Sequence, residues 1–139
     1  MGYIMGGKYN ILLVDDHPLI RRGIRGIIEE NPELEVMGEV NDGLEFLEFL
    51  ENRVPHLVIL DLSMPRIGGI EATRKAKAGH PQLKVLILTM HKSREYLEES
   101  LAAGAEGYVV KETLDLELLP AIAALRNGGT YISKLCAAL

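Results

Sequence analysis

Residues His56 to Pro65 read HLVILDLSMP: four apolar residues, Leu57 to Leu60, lead to a carboxylate, Asp61, and then to a proline-bearing turn. An apolar run of that length, bounded by turn signals, suits a strand covered on both faces, as strands of parallel sheets are. Ligands of open parallel sheets gather at the carboxyl ends of the strands, so Asp61 stands where chemistry is expected. Taken alone, a strand-end Asp serves as well as a helix cap or turn former. The other strand ends decide between these readings.

Tyr9 to Val14 is a second short apolar strand, closing on Asp15 and Asp16 and followed by His17-Pro18. From Leu19 to Glu30 the residues Ile20, Ile24, Ile27 and Ile28 form a helical stripe, which Asn31-Pro32 stops. Gly23 and Gly26 interrupt it at up to about 1 kcal/mol each against Ala, a cost that close packing on a neighbouring helix would offset. Leu34 to Val40 predicts a less buried edge strand, and Leu44 to Leu50 a helix with Phe46 and Phe49 on its apolar side. After the Asp61 strand, the turn from Ser63 to Gly69 leads into a helix from Ile70 to about Ala78. Leu83 to Leu88 is again nearly all apolar and ends in Thr89. Ser93 caps a helix to about Ala103, with Gly104 at its end. Gly107 to Val110 presents Lys111. A last helix, capped by Thr113 or Asp115, has Leu118, Ile122 and Leu125 inward, and its regular part begins late or bends near Leu116 because Pro120 is tolerated best in a first turn. Five strands alternating with five helices define an α/β domain: a doubly wound parallel sheet with helices on both faces.

The 139 residues suit one domain, read as 9–128. A net charge of −5 argues against a direct grip on a phosphate backbone. The single cysteine, Cys136, excludes an internal disulfide and a cysteine-based zinc site. No apolar stretch reaches the roughly 18 residues that cross a bilayer. Residues 1–8 lack the apolar core of a signal peptide and read as a disordered leader, so the expected compartment is the cytoplasm, with no membrane partner. Residues 129–139 read as a linker toward an absent C-terminal effector domain.

Four of the five strands thus end in reactive side chains: Asp15 and Asp16, Asp61, Thr89, and Lys111. Three carboxylates converging on one sheet edge repel one another unless a hard cation or a lysine relieves them, and Mg²⁺, which takes oxygen ligands and bridges to phosphate, is the natural ion. In such a site one Asp can attack phosphorus to give an acyl phosphate, while metal and Lys111 neutralise charge and the Thr89 hydroxyl bonds a phosphoryl oxygen. Asp61, the lone acid on the central strand, is the candidate nucleophile; Asp15 and Asp16 are the candidate metal ligands. His17, His56, His80 and His91 show no metal-ligand spacing.

The combination of Asp15-Asp16, Asp61 in Asp-Leu-Ser-Met-Pro with Gly68-Gly69 following, Thr89, and Gly107-Tyr-Val-Val-Lys111 resembles the receiver domain of two-component response regulators. The tail Asn127-Gly-Gly-Thr-Tyr-Ile-Ser133 is similar to the linker of the NarL/FixJ (LuxR-type) subfamily, whose members carry a helix-turn-helix DNA-binding domain. The resemblance implies a flavodoxin-like (βα)5 fold with strand order 2-1-3-4-5 and phosphoryl transfer from a sensor histidine kinase to Asp61. It implies Mg²⁺ held by Asp16, Asp61 and the Ser63 backbone carbonyl, with Asp15 reaching it through water. It also makes Thr89 and Tyr108 a switch pair, with a phosphorylation-dependent homodimer and, in a full-length parent, control of transcription as outputs. The chain would be a signalling phosphoacceptor, not an enzyme acting on other substrates; His91 and Ser63 stand where receivers tune loss of the phosphoryl group. Glu112 follows Lys111 where many receivers have proline, which leaves the local loop shape open.

Three rivals remain from the residues. A flavin-binding domain of the same topology would need a phosphate cradle after the first strand, where Asp15-Asp16 repels phosphate. A phosphatase with an aspartate nucleophile usually has a second acid two residues on, where this chain has Ser63. The third is a receiver-like module that only binds protein and is never phosphorylated, although every side chain needed for phosphorylation is present; a stand-alone phosphorylatable receiver acting by protein–protein interaction is the alternative to a DNA-binding parent.

Overall fold

The computed structural model describes residues 7–64 and 66–137. Of the leader expected at 1–8, residues 1–6 lie outside the described residues. Strands β1 (Tyr9–Val14), β2 (Leu34–Val40), β3 (Leu57–Asp61), β4 (Lys84–Thr89) and β5 (Gly107–Val110) alternate with helices α1 (Pro18–Glu29), α2 (Gly43–Leu50), α3 (Gly69–Gly79), α4 (Arg94–Ala102) and α5 (Leu114–Arg126). A sixth strand, β6 (Tyr131–Ile132), follows α5. The sheet order is β2-β1-β3-β4-β5-β6, so the first five strands take the expected 2-1-3-4-5 order.

The unbroken apolar runs arise because neighbouring residues serve two cores. Leu12, Val14, Val58, Leu60, Val85 and Ile87 pack toward Phe46, Ala72, Ala76 and Leu97 of α2, α3 and α4. Their alternates Ile11, Leu13, Leu57, Ile59, Leu86 and Leu88 pack toward Ile24 and Ile28 of α1 and Leu118, Ile122 and Leu125 of α5. Period-two alternation with both faces covered leaves no polar position inside β3, whose five residues are all buried. β2 is an edge and only Leu34 in it is fully buried.

Local signals act where the sequence puts them. The Ser93 hydroxyl accepts from the Tyr96 N–H at the start of α4, and Gly104 takes φ +111 after its end. The Asp42 carboxylate caps α2 by accepting from the Glu45 N–H at 2.9 Å.

One expectation fails. Gly23 and Gly26 do not sit against a neighbouring helix: both face solvent, and a Cβ built on either meets nothing within 4 Å. α1 is anchored instead by buried Ile24 and Ile28, with half-buried Ile20 and Ile27 packed beside them. As expected from Pro120, the regular helix begins after Thr113: α5 starts at Leu114, behind the 3-10 turn Lys111–Thr113, and runs through the proline. Leu116, whose carbonyl the missing N–H would have served, is an exposed residue.

The segment after α5 packs on the domain. Tyr131 and Ile132 pair with Gly107 and Tyr108 in parallel register, extending the expected five strands by one, and the Ser133 N–H donates to the Tyr108 carbonyl at 2.8 Å. Ser133 and Cys136 are buried. Buried Glu117 of α5 accepts from the hydroxyls of Thr113, Tyr131 and Ser133 and from the Lys134 N–H.

Candidate functional site

Strand register brings the expected residues together. Val14 is level with Leu60, so the next residue of each strand, Asp15 and Asp61, emerges at one height. Thr89 pairs with Val110, one step before Lys111. Asp15 and Asp61 are buried, their side chains 4% and 3% exposed, and Lys111 Nζ, on a side chain 7% exposed, lies 3.2 Å from Asp15 Oδ2 and 3.5 Å from Asp61 Oδ1. Asp16, next along the chain, is exposed.

One cation between three carboxylates leaves the site electrostatically unbalanced. Burial is the main cause that raises the Asp61 pKa; Lys111 opposes it, Asp15 adds to it, and the Ser63 N–H and His17 lower it. Asp15 Oδ2 and Asp61 Oδ2 are buried without a hydrogen-bond partner. Buried carboxylate oxygens without hydrogen bonds, clustered with the other acids and sharing one lysine, are a donor set a divalent cation satisfies, so the residues fit the expected ion.

The loop after β3 is pressed against Asp61. A Cβ on Gly69 would lie 2.4 Å from the Asp61 carbonyl oxygen, and one on Gly43 2.2 Å from the Ile67 carbonyl oxygen. Both positions therefore need glycine for close backbone approach. Arg66, at φ +65, donates from Nε to Asp42 Oδ2 at 2.7 Å and so ties the loop to α2. The arginine's hydrogen bond is the chief cause that holds the Asp42 carboxyl below its ordinary range. The exposed Ser63 donates its N–H to Asp61 Oδ1 at 3.4 Å.

Thr89 is buried, and its Oγ1 accepts from the His91 N–H at 3.1 Å. The Tyr108 ring is wholly buried and its hydroxyl donates to the His91 carbonyl at 2.8 Å. One backbone residue thus bonds both members of the expected switch pair. Burial pushes the Tyr108 hydroxyl up to about 12, which keeps it a proton donor. The His91 ring stacks on Tyr96, centroids 4.5 Å apart, and Lys92 pairs with Glu112 across the two loops at 3.0 Å. The loop left open by Glu112 is a 3-10 turn, Lys111–Thr113, with trans peptide bonds.

Sequence spacing gave His17 no metal-ligand role, yet its Nδ1 lies 2.7 Å from Asp15 Oδ1, 3.2 Å from Asp16 Oδ1 and 3.8 Å from Asp61 Oδ2. These four residues form a group whose candidate ligand atoms all fall within 4.8 Å of one another. The signal available was adjacency to the acidic pair at a strand end; the turn that folds the ring back was not legible.

A family model for the response regulator receiver domain matches residues 11–123. The transcriptional regulatory protein DegU of Brevibacillus brevis is 37% identical over 125 residues, which are 90% of this chain and 53% of DegU. The crystal structure of a LuxR-family two-component response regulator from Aurantimonas sp. SI85-9A1 superposes with a TM-score of 0.90 at 37% identity, covering 95% of this chain and 94% of that one. The isolated REC domain of RcsB from Salmonella enterica serovar Typhimurium, in the presence of phosphomimetic BeF3-, gives a TM-score of 0.88 at 30% identity, covering 95% and 98%. The chain belongs to the response regulator receiver domain family. Its relatives are regulators of the LuxR type, and it spans about half of DegU.

Proposed function

We propose that Asp61 accepts a phosphoryl group from a phosphohistidine of a sensor histidine kinase and later yields it to water. A carboxylate oxygen of Asp61 attacks phosphorus, the P–N bond breaks with its electron pair going to the imidazole, and an acyl phosphate results. Lys111 neutralises charge on the transferring group, and Thr89 Oγ1 donates to one of its oxygens. Asp16, Asp61 and the Ser63 carbonyl are the proposed Mg²⁺ ligands, with Asp15 acting through water. Mg²⁺ in this position supplies charge neutralisation to the carboxylates and the phosphoryl oxygens. The observation that carries the reading is the buried contact of Lys111 with both Asp15 and Asp61, beside Asp61 Oδ2, which has no hydrogen-bond partner.

The same reading makes His91 the coupling residue between Thr89 and Tyr108. When Thr89 Oγ1 turns toward the phosphoryl group, the His91 N–H loses its acceptor and the 90–92 loop shifts, which disturbs the Tyr108 bond to the His91 carbonyl. Since the Tyr108 ring is already buried, the change concerns this loop and the face of α4. A second copy of the chain is the proposed partner for the α1–α5 side, where Leu19 and Leu116 stand 77% and 72% exposed near the starts of their helices. In a longer parent the readout is release of a DNA-binding domain beyond residues 129–139; a stand-alone receiver would act through protein contacts alone.

Mass measurement after incubation with acetyl phosphate tests the core of this. One phosphoryl group is expected with Mg²⁺ and none with a chelator or in Asp61→Asn. Single-site labelling of Asp61→Asn at the unsubstituted rate would refute the assignment.

A further inference from the structure

We infer that His17 is a ligand-forming residue of this cation site, and that through it the site takes nitrogen-accepting divalent transition ions such as Ni²⁺ or Zn²⁺ in preference to Mg²⁺. The inference rests on the proposed placing of the cation among Asp15, Asp16 and Asp61. It goes beyond it by adding a fourth donor of different chemistry.

His17 is the N-cap of α1, in an extended backbone conformation immediately after the acidic pair. Its N–H donates to Asp15 Oδ1 at 2.8 Å, which pins the turn and folds the side chain back over the carboxylates. Nδ1 then faces oxygens from three different carboxylates at 2.7, 3.2 and 3.8 Å, although the side chain is 54% exposed and has solvent available. Asp61 Oδ2, on a side chain nearly wholly buried, has no hydrogen-bond partner, and His17 Nδ1 is the group that faces it. An orphaned buried oxygen and a ring nitrogen brought this close together form a mixed oxygen and nitrogen donor set.

The chemistry of the donor set names the class of occupant. An all-oxygen set favours Mg²⁺, which keeps several waters. Replacing one of those waters by an imidazole nitrogen does little for Mg²⁺ but strengthens binding of ions that accept nitrogen, in the order in which such sites generally rank the first-row metals. A plain hydrogen bond from Nδ1 to Asp15 explains the shortest of the three distances, and the experiment separates it from ligation.

Titrating the whole chain by calorimetry with Mg²⁺ and with Ni²⁺, before and after His17→Ala, reads the ratio of the two affinities. Ligation predicts that the preference for Ni²⁺ over Mg²⁺ falls roughly tenfold or more in the variant, since even outer-shell losses reach that size. Zn²⁺ added to protein labelled with ¹⁵N in histidine should shift the Nδ1 resonance of His17, and Asp61→Asn should weaken that response. An unchanged affinity ratio, or a Zn²⁺ response confined to other histidines, overturns the inference. If acetyl phosphate with Mg²⁺ still modifies Asp61 in that case, only the role of His17 falls; if neither cation binds in an Asp61-dependent way and no phosphoryl group is taken up, the proposed function falls with it.

Discussion

Asp61 is a carboxylate held where the fold disfavours its charge. Its pKa is raised, chiefly by burial, so at neutral pH the ionised group costs folding stability instead of adding to it. Asp61→Asn should therefore stabilise the ion-free chain, by about 0.5–2 kcal/mol on the scale of relieved functional sites. Urea unfolding at pH 7 with and without Mg²⁺ checks this: the gap between variant and parent should narrow when the ion is added, because the cation relieves the same repulsion. A variant less stable than the parent in chelator would show that the Lys111 contact outweighs burial. Asp15, Asp16, Asp61, Thr89 and Lys111 were legible in the sequence because each ends an apolar run, and parallel strands deliver their ends to one edge. His17 was not legible, since its place depends on a turn that returns the ring to the acids. Nor were Arg66 and Asp42, whose pairing joins elements 24 positions apart.

At the scale of elements, α5 holds the tail through one acid. Burial pushes the Glu117 carboxyl up, but hydrogen bonds from Ser133, Thr113, the Lys134 N–H and Tyr131 together outweigh it and lower the pKa from 4.5 to about 2. Because the folded value lies below the unfolded one, this latch stabilises the fold above pH 4.5 and loses its contribution as pH falls toward 2. The full effect is about 3 kcal/mol at most. Glu117→Gln should flatten the acid limb of a stability–pH profile, and amide exchange should quicken across 131–136; a profile that still falls as steeply would place the loss on other carboxylates. Residues 129–139 read as a connector because nothing in their sequence reveals that the Tyr131 and Ser133 hydroxyls meet a buried acid on the preceding helix. The loop before α3 gives a second test. Gly69→Ala forces a methyl group against the Asp61 carbonyl at 2.4 Å, so the backbone must move and phosphoryl uptake should fall at least tenfold by the rule that about 1 Å of misplacement is costly. Uptake at the parent rate would mean that the loop yields without displacing Asp61.

For the whole molecule, topology was the most legible property. Two-sided burial writes continuous apolar strands, and their alternation with amphipathic helices leaves few arrangements of the sheet. What that logic does not deliver is the solvent face of a helix: Gly23 and Gly26 look like packing residues by composition, and only the fold shows them uncovered. That uncovered side bears on output. The net charge of −5 argues against a direct grip on DNA by this chain, so a signal from the proposed phosphoacceptor, Asp61, would leave through a protein surface. Leu19 on α1 and Leu116 on α5 are exposed, and these two helices pack side by side, with Lys111 and the 3-10 turn leading directly into α5. A change at Lys111 therefore reaches the start of α5 within one turn of chain. Sedimentation of the chain with and without beryllofluoride and Mg²⁺ should show a larger mass with the phosphoryl mimic, and Leu116→Glu should return it to the monomer value while leaving mimic binding in place. Should the mimic bind at Asp61 and the mass stay monomeric at high protein concentration, self-association through α1 and α5 is not the output of this site. The 90–92 loop beside Thr89 and Tyr108 would then be the surface to test against a separate partner.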